Sequence, residues 1–147
     1  PQLKKLDGFN KKRQKNSHAL YEKIKDIDWI IIPKISKDVE HVFFWCPIRI
    51  DEEKLGMDTL ELRQKLFDNG VETRHRYVEP LHMQPALKKP YPKNCPYSCD
   101  HYKNKIDYSK TVCKTTEKVV GKLLGLPNHP GLTEENLEKI SEVLHNI

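Results

Sequence analysis

The chain has 147 residues, of which 37% are hydrophobic, with four cysteines and a formal net charge of +5. This length suits one domain of ordinary size with a sizeable core. The longest uninterrupted apolar run is Val42–Cys46, whereas a membrane-spanning helix needs roughly 20 apolar residues, so a span within this sequence is excluded. Four cysteines are too few for a disulfide scaffold and favour a reducing compartment.

The positive charge is concentrated at one end of the chain. Residues 1–25 contain eight lysines and arginines against two acids, and the remaining residues are close to neutral. A basic first helix is different from a basic domain, so the composition gives little support to nucleic-acid binding.

The first half of the chain predicts a helix followed by two strands. Apolar residues recur every three or four positions over 2–25, which indicates an amphipathic helix with a cationic exterior. Ile27–Pro33 and His41–Ile50 are rich in β-branched and aromatic residues and predict strands. Pro47 cannot donate to a strand ladder, so we expect it at an edge or a bulge.

A second helix and a third strand follow. Asp58 and Glu61 resemble a capping box, and Gly70 suits the end of the helix. Its expected core face is made by four apolar residues: Met57, Leu60, Leu66 and Phe67. The alternating run Val71–Tyr77 predicts a strand, and residues 78–110 predict a long irregular loop, a feature that is commonly functional.

Two helices complete the pattern. The first contains Val112, Val119, Leu123 and Leu124 and ends at Gly125, and the second is capped by Thr133. Short strands interleaved with helices predict an α/β fold of the α+β two-layer type, with helices packed on a short-stranded sheet. The glycines form no phosphate-binding loop.

The densest group of polar residues lies at the end of the third predicted strand. It consists of Arg74, His75, Arg76, Tyr77 and His82. Arginine binds carboxylate and phosphate through two parallel hydrogen bonds, and histidine adds a donor or a base near neutral pH. The pattern therefore allows an anion site, and it equally allows a solvated strand face paired with neighbouring glutamates.

A second group has the residue types of a metal site. Cys95, Cys99, His101 and Cys113 could complete a tetrahedral zinc site, although no second cysteine pair supports it. A disulfide and free thiols remain alternatives. Cys46 is expected to be a small core residue, and His129 is expected to be held by local backbone bonds.

Several segments, taken in order, resemble one family, the DegT/DnrJ/StrS sugar aminotransferases. The resemblance runs from about residue 2 to residue 146. The segments are Leu6-Asp7 with Lys12-Arg13 and Tyr21, Gly70-Val-Glu-Thr-Arg74, Tyr77-x-x-Pro80-Leu-His82-x-Gln84-Pro85 and Leu126-Pro-Asn-His-Pro-Gly-Leu-Thr133.

The resemblance implies the C-terminal small domain, residues 1–147, of a fold-type-I enzyme dependent on pyridoxal 5′-phosphate, with 1–25 as the interdomain helix. Such enzymes move an amino group from glutamate to a nucleotide-linked keto sugar for polysaccharide or amino-sugar biosynthesis. The N-terminal large domain that carries the Schiff-base lysine is absent from this sequence. We therefore expect the chain alone to bind no cofactor and to be inactive, and the parent to be a cytoplasmic homodimer.

The resemblance also implies roles for the polar group. It assigns Arg74 and Arg76 to anionic groups of glutamate or the sugar nucleotide, and His75, Tyr77 and His82 to polar contacts with substrate. No catalytic residue is expected in this chain. The competing hypothesis is a freestanding basic interaction or nucleic-acid-binding module that uses helix 1–25.

Overall fold

The computed structural model describes residues 1–75, 79–88 and 108–147. The chain divides into two compact units. The first consists of Pro1–Arg76 and Lys122–Ile147, and the second of Tyr77–Gly121.

The sheet of the first unit is antiparallel and has the order β1-β2-β3. Its strands are β1 (Ile30–Ile31), β2 (Cys46–Ile50) and β3 (Leu123–Leu126). Helices pack on this small sheet, which confirms the predicted fold class.

Six α-helices occur among the described residues. They are α1 (Leu6–Ile24), α2 (Glu52–Leu55), α3 (Thr59–Asp68), α4 (Pro85–Lys88), α5 (Lys114–Val119) and α6 (Glu134–His145). Short 3₁₀ turns occur at Leu3–Lys5, Leu81–Met83, Tyr108–Lys110 and Val120–Lys122. None of the helices in the described part of the chain is long and apolar enough to cross a membrane.

The core of the first unit lies between the sheet and helices α1, α3 and α6. Alternate residues of β2 are buried, because successive strand side chains point to opposite faces. The predicted first and last helices are confirmed, since both bury one apolar stripe. The buried apolar residues of the helices are Leu20, Tyr21, Ile24, Leu62, Leu66, Leu137, Ile140 and Leu144.

The second strand is shorter than its sequence predicted. It begins at Cys46 rather than at His41, because Phe43 has a left-handed backbone with φ of 47°. The Phe43 ring is buried edge-on against His18, Tyr21 and His41. Burial of this ring offsets the backbone strain, and the resulting bend prevents an extended conformation before residue 46.

Pro47 lies in the central strand, at a position where its missing N–H is harmless. It faces Gly125 of β3, but Gly125 exchanges both of its backbone hydrogen bonds with Arg74 instead. Strand β1 does not extend as far as Pro47, and the Tyr21 hydroxyl donates to the Pro47 carbonyl at 2.7 Å. One side of β2 is therefore open at this residue, as the proline requires.

The predicted core face of α3 was partly wrong. Leu60 and Phe67 are 58% and 63% exposed, whereas Leu62 and Leu66 are fully buried. This helix has more apolar residues than one face can hold, so their spacing in the sequence did not determine which side of the helix faces the core. Of the predicted capping box, the Asp58 half is confirmed, because its carboxylate accepts the N–H groups of residues 60 and 61. The Glu61 carboxylate lies 3.9 Å from the Lys65 ammonium instead.

Two further predictions were wrong near the end of the sheet. Residues 123–126 form strand β3 rather than the end of a helix, because they pair with Cys46–Arg49 of β2. The predicted strand Val71–Tyr77 makes a single bridge within the described residues, between Arg74 and Gly125. Gly70, with φ of 80°, ends the preceding helix as expected.

The second unit contains the whole of the predicted irregular loop 78–110. Its described residues form α4, α5 and short 3₁₀ turns, so regular structure occurs at both ends of the segment. Residues 89–107 lie outside the described part of the chain.

Candidate functional site

A cleft of about 520 Å³ opens at one end of the sheet in the first unit. Phe44 and Trp45 come directly before β2, and Asn128 and His129 follow β3 after Pro127, so both segments reach the same sheet end. Residues 70–74 and helix α6 complete the walls. The cleft therefore combines aromatic, amide and charged side chains from four separate segments.

The cleft contains more basic than acidic side chains. Arg74 and Lys139 line it, together with Glu72 as the acidic residue. In the described part of the chain, neither Arg74 nor Lys139 forms an ion pair. Two such cations beside amide groups can hold a carboxylate or a phosphate.

The polar wall of the cleft is held in place by one amide. The Asn128 side chain donates to the Phe43 carbonyl at 2.7 Å, which joins the segment after β3 to the bend before β2. The Oδ1 atom of Asn128 is buried and has no hydrogen-bond partner within residues 1–75, 79–88 and 108–147. A ligand donor reaching this atom would satisfy it.

The predicted polar group is only partly described. Arg74 is exposed in the cleft, held through its backbone by Gly125, and His75 follows it directly. The Nε2 atom of His75 is buried and makes no hydrogen bond to any described residue. Arg76 and Tyr77 lie outside the described residues, so their placement stays a prediction.

His82 belongs to the second unit and is paired with a carboxylate there. Its side chain is 10% exposed, and Nε2 lies 2.8 Å from Oε1 of Glu117. The same oxygen accepts the backbone N–H of Cys113 at 2.8 Å. Both hydrogen bonds lower the pKa of Glu117 below its usual value, and the bond from the Cys113 N–H contributes more than the bond from His82.

The proposed metal ligands stay untested. Cys113 is described and carries an exposed free thiol, whereas Cys95, Cys99 and His101 lie outside the described residues. Among the residues that the structure describes, no cluster of histidine, cysteine and carboxylate side chains is arranged to hold a metal ion.

Two residues have the structural roles that the sequence predicted. Cys46 is fully buried, and burial raises the pKa of its thiol. The His129 carbonyl accepts the N–H of Leu132, and its Nδ1 accepts the N–H of Gly131. Both are therefore explained by packing and local backbone bonds.

Sequence reasoning missed Lys139, Asn128 and Glu117. Lys139 sits on an amphipathic helix, where a lysine is typical of a solvated face. Asn128 lies within the family motif that runs from Leu126 to Thr133, and that motif was the sequence signal that could have pointed to it. Glu117 is 35 residues from His82, and nothing in the sequence indicates that they meet.

A family model decides the relationship of this chain to known proteins. The model of the DegT/DnrJ/EryC1/StrS aminotransferase family matches residues 1–145. The chain belongs to this family. A curated member, the spore coat polysaccharide biosynthesis protein SpsC of Bacillus subtilis, is 24% identical over 147 residues, which cover 99% of this chain and 34% of SpsC.

Solved structures of sugar aminotransferases share the fold. CalS13 of Micromonospora echinospora superposes with a TM-score of 0.73 at 14% identity, covering 98% of this chain and 32% of CalS13. Helicobacter pylori PseC, described as an aminotransferase involved in pseudoaminic acid biosynthesis, superposes with a TM-score of 0.70 at 15% identity. The match covers 99% of this chain and 34% of PseC. This DegT-family chain thus spans about a third of the length of its relatives.

The described residues do not fit a pyridoxal phosphate cradle. Covalent attachment needs a lysine whose amine is desolvated or otherwise activated. Every lysine whose burial the structure describes is exposed or half-exposed, including Lys139 at the cleft. None of the lysines with described burial therefore has the desolvated environment that covalent attachment of the cofactor would use.

Proposed function

We propose that this DegT-family chain is the small C-terminal domain of a sugar aminotransferase. The parent enzyme transfers the amino group of glutamate to a nucleotide-linked keto sugar, which supplies amino sugars for polysaccharide or related biosynthesis. The observation that carries the proposal is the family match over residues 1–145. The names of SpsC and CalS13 support a sugar as the substrate.

Pyridoxal 5′-phosphate would supply the electron sink of this reaction when bound to the parent enzyme. The family's aminotransferases depend on this cofactor, and the lysines of this chain whose burial is described are exposed or half-exposed. We therefore assign the cofactor and its lysine to an N-terminal large domain, and we expect residues 1–147 alone to be inactive.

The role of this chain is to bind and orient substrate. Arg74 is the described residue best suited to an anionic group, because its guanidinium lies exposed in the cleft beside a second cation, Lys139. Arg76 is assigned to the same task, and His75, Tyr77 and His82 are assigned to polar contacts with substrate. Holding the reactants in register lowers the entropic part of the barrier.

The remaining proposals concern the parent protein. Its partners are the large domain, which contacts helix 1–25 between the domains, and a second copy in a homodimer. Its compartment is the cytoplasm. The competing nucleic-acid module rests on the lysines of α1, and the family match favours the aminotransferase.

Turnover by the complete protein tests the proposal. Incubation with glutamate and a nucleotide-linked keto sugar should yield 2-oxoglutarate and the amino sugar, both detectable by mass spectrometry. Arg74→Gln should raise the KM of one substrate about tenfold with little change in kcat, since the contact is made in the ground and transition states alike.

Arg63→Gln is the matched control, because it removes an exposed guanidinium on α3 outside the proposed site. It should leave both kinetic constants unchanged. Absence of amino-sugar product with every nucleotide-linked keto sugar would refute the proposed function. An unchanged KM in Arg74→Gln would refute the role of Arg74.

A further inference from the structure

The carboxylate of Glu117 makes a contact that the proposed substrate role of His82 does not explain. We propose that Glu117 is a positioning residue: it holds the His82 imidazole with Nε2 protonated and leaves Nδ1 as the hydrogen-bond acceptor for substrate. The inference rests on the proposed function, in which His82 contacts substrate.

The geometry of the pair sets the tautomer of His82. Oε1 of Glu117 lies 2.8 Å from Nε2 of His82 and accepts the N–H of Cys113 at the same distance. An ionised carboxylate accepts hydrogen bonds and donates none, so the proton of this contact belongs to Nε2. In the neutral ring the other nitrogen then carries a lone pair.

Burial makes this pair stronger than an ordinary surface contact. The His82 and Glu117 side chains are 10% and 33% exposed, whereas those of Glu61 and Lys65 on α3 are 57% and 48% exposed and lie 3.9 Å apart. Partial exclusion of water strengthens a charge-assisted hydrogen bond and reduces the freedom of both side chains. The His82 ring is therefore held in one orientation before any ligand arrives.

A purely structural role for Glu117 is the alternative. Its bond to Cys113 satisfies a free N–H at the start of α5, and a glutamine would preserve that bond through its amide oxygen. The glutamine amide can also donate to an unprotonated Nε2, which a carboxylate cannot do. Because one oxygen of Glu117 accepts both bonds, a glutamine amide that turns to donate to Nε2 no longer accepts from Cys113. Glu117→Gln therefore keeps the cap while its amide oxygen faces Cys113, and it removes the negative charge that favours a proton on Nε2.

The test uses the complete protein labelled with ¹⁵N-histidine, with the His82 signals assigned by their loss in His82→Gln. In the unsubstituted protein, Nδ1 should show the chemical shift of an unprotonated ring nitrogen and Nε2 that of a protonated one. In Glu117→Gln the two shifts should move toward each other as both tautomers become populated. Protonated Nδ1 in the unsubstituted protein, or unchanged shifts in Glu117→Gln, would overturn the inference.

Kinetics of the same variants separate positioning from structure. Glu117→Gln should raise the KM of the keto sugar about tenfold, similar to the loss when an orienting partner of a histidine ligand is removed. Glu61→Gln removes a carboxylate from a surface pair and should change neither kinetics nor the His82 spectrum. Altered tautomers with unchanged kinetics would refute the positioning role while leaving the proposed function intact.

Failure of the proposed function gives a different result. A complete protein that never forms an amino sugar would remove the substrate role of His82. The ¹⁵N shifts would still report whether Glu117 sets the tautomer, so the two failures are distinguishable.

Discussion

At the scale of single residues, Gly125 links the sheet to the cleft. Its backbone exchanges hydrogen bonds with Arg74, and its Cα lies against the indole of Trp45, so that a Cβ at this position would overlap the ring. Because Gly125 has no side chain, it can bond to the backbone of Arg74 and at the same time leave room for the Trp45 ring.

Gly125→Ala should destabilise the chain. Because the added Cβ must displace a large ring in a packed region, we expect a loss of about 1–3 kcal/mol in the free energy of unfolding. Urea denaturation followed by circular dichroism measures it. Gly8→Ala is the control: a Cβ there meets nothing within 4 Å, and alanine in place of glycine in the first turn of α1 should instead stabilise the chain by up to about 1 kcal/mol. Equal effects of the two substitutions would contradict this packing argument.

At the scale of elements, the ends of α1 and α6 are joined through a histidine. His145 Nδ1 lies 2.8 Å from the Ser141 carbonyl oxygen, and its Nε2 lies 3.3 Å from Asp26, two residues after α1 ends. The hydrogen bond to the Ser141 carbonyl is the main cause that raises the pKa of His145; burial opposes it, and the Asp26 carboxylate adds to the rise by favouring the doubly protonated ring.

This pair predicts a pH-dependent stability. Because the pKa of His145 is higher in the folded state, its protonation stabilises the fold. The full contribution is present below the unfolded pKa of about 6.5, and it is lost as the pH rises through the folded pKa. The side chain is 38% exposed, so the contribution should stay below about 1 kcal/mol. Denaturation of the unsubstituted chain and of His145→Gln at about pH 5.5 and pH 8 measures it. The unsubstituted chain should exceed His145→Gln in free energy of unfolding by more at about pH 5.5 than at about pH 8. A larger difference at the higher pH would refute the stabilising role of the protonated His145.

Elements with strong periodicity were predictable from the sequence, and short ones were not. Helices α1 and α6 have an apolar stripe long enough to define one face, and Thr133 caps the second of them as predicted. Leu123–Leu126 carries no such period, and its strand conformation comes from pairing with β2, which is distant in sequence. Likewise, the bend at Phe43 depends on rings from α1 and is invisible locally.

At the scale of the whole molecule, motif order predicted the family, and local composition singled out Arg74, which lines the cleft. Arg74 was considered because arginine suits anionic ligands and α/β proteins often place ligand contacts at strand ends, although the same pattern allowed a solvated strand face. Lys139 and Glu117 could not be found in the same way, because their significance arises from contacts made across the fold. The sequence does not reveal which distant residues a side chain on a helix surface will contact.

The central claim is that these 147 residues bind substrate for a cofactor held elsewhere in the protein. Borohydride reduction of the complete protein with pyridoxal phosphate fixes the cofactor permanently to its lysine, and peptide mass mapping then locates that lysine. We predict a labelled peptide outside this sequence, with residues 1–147 unlabelled. A stoichiometric label on any lysine within these residues would contradict the account.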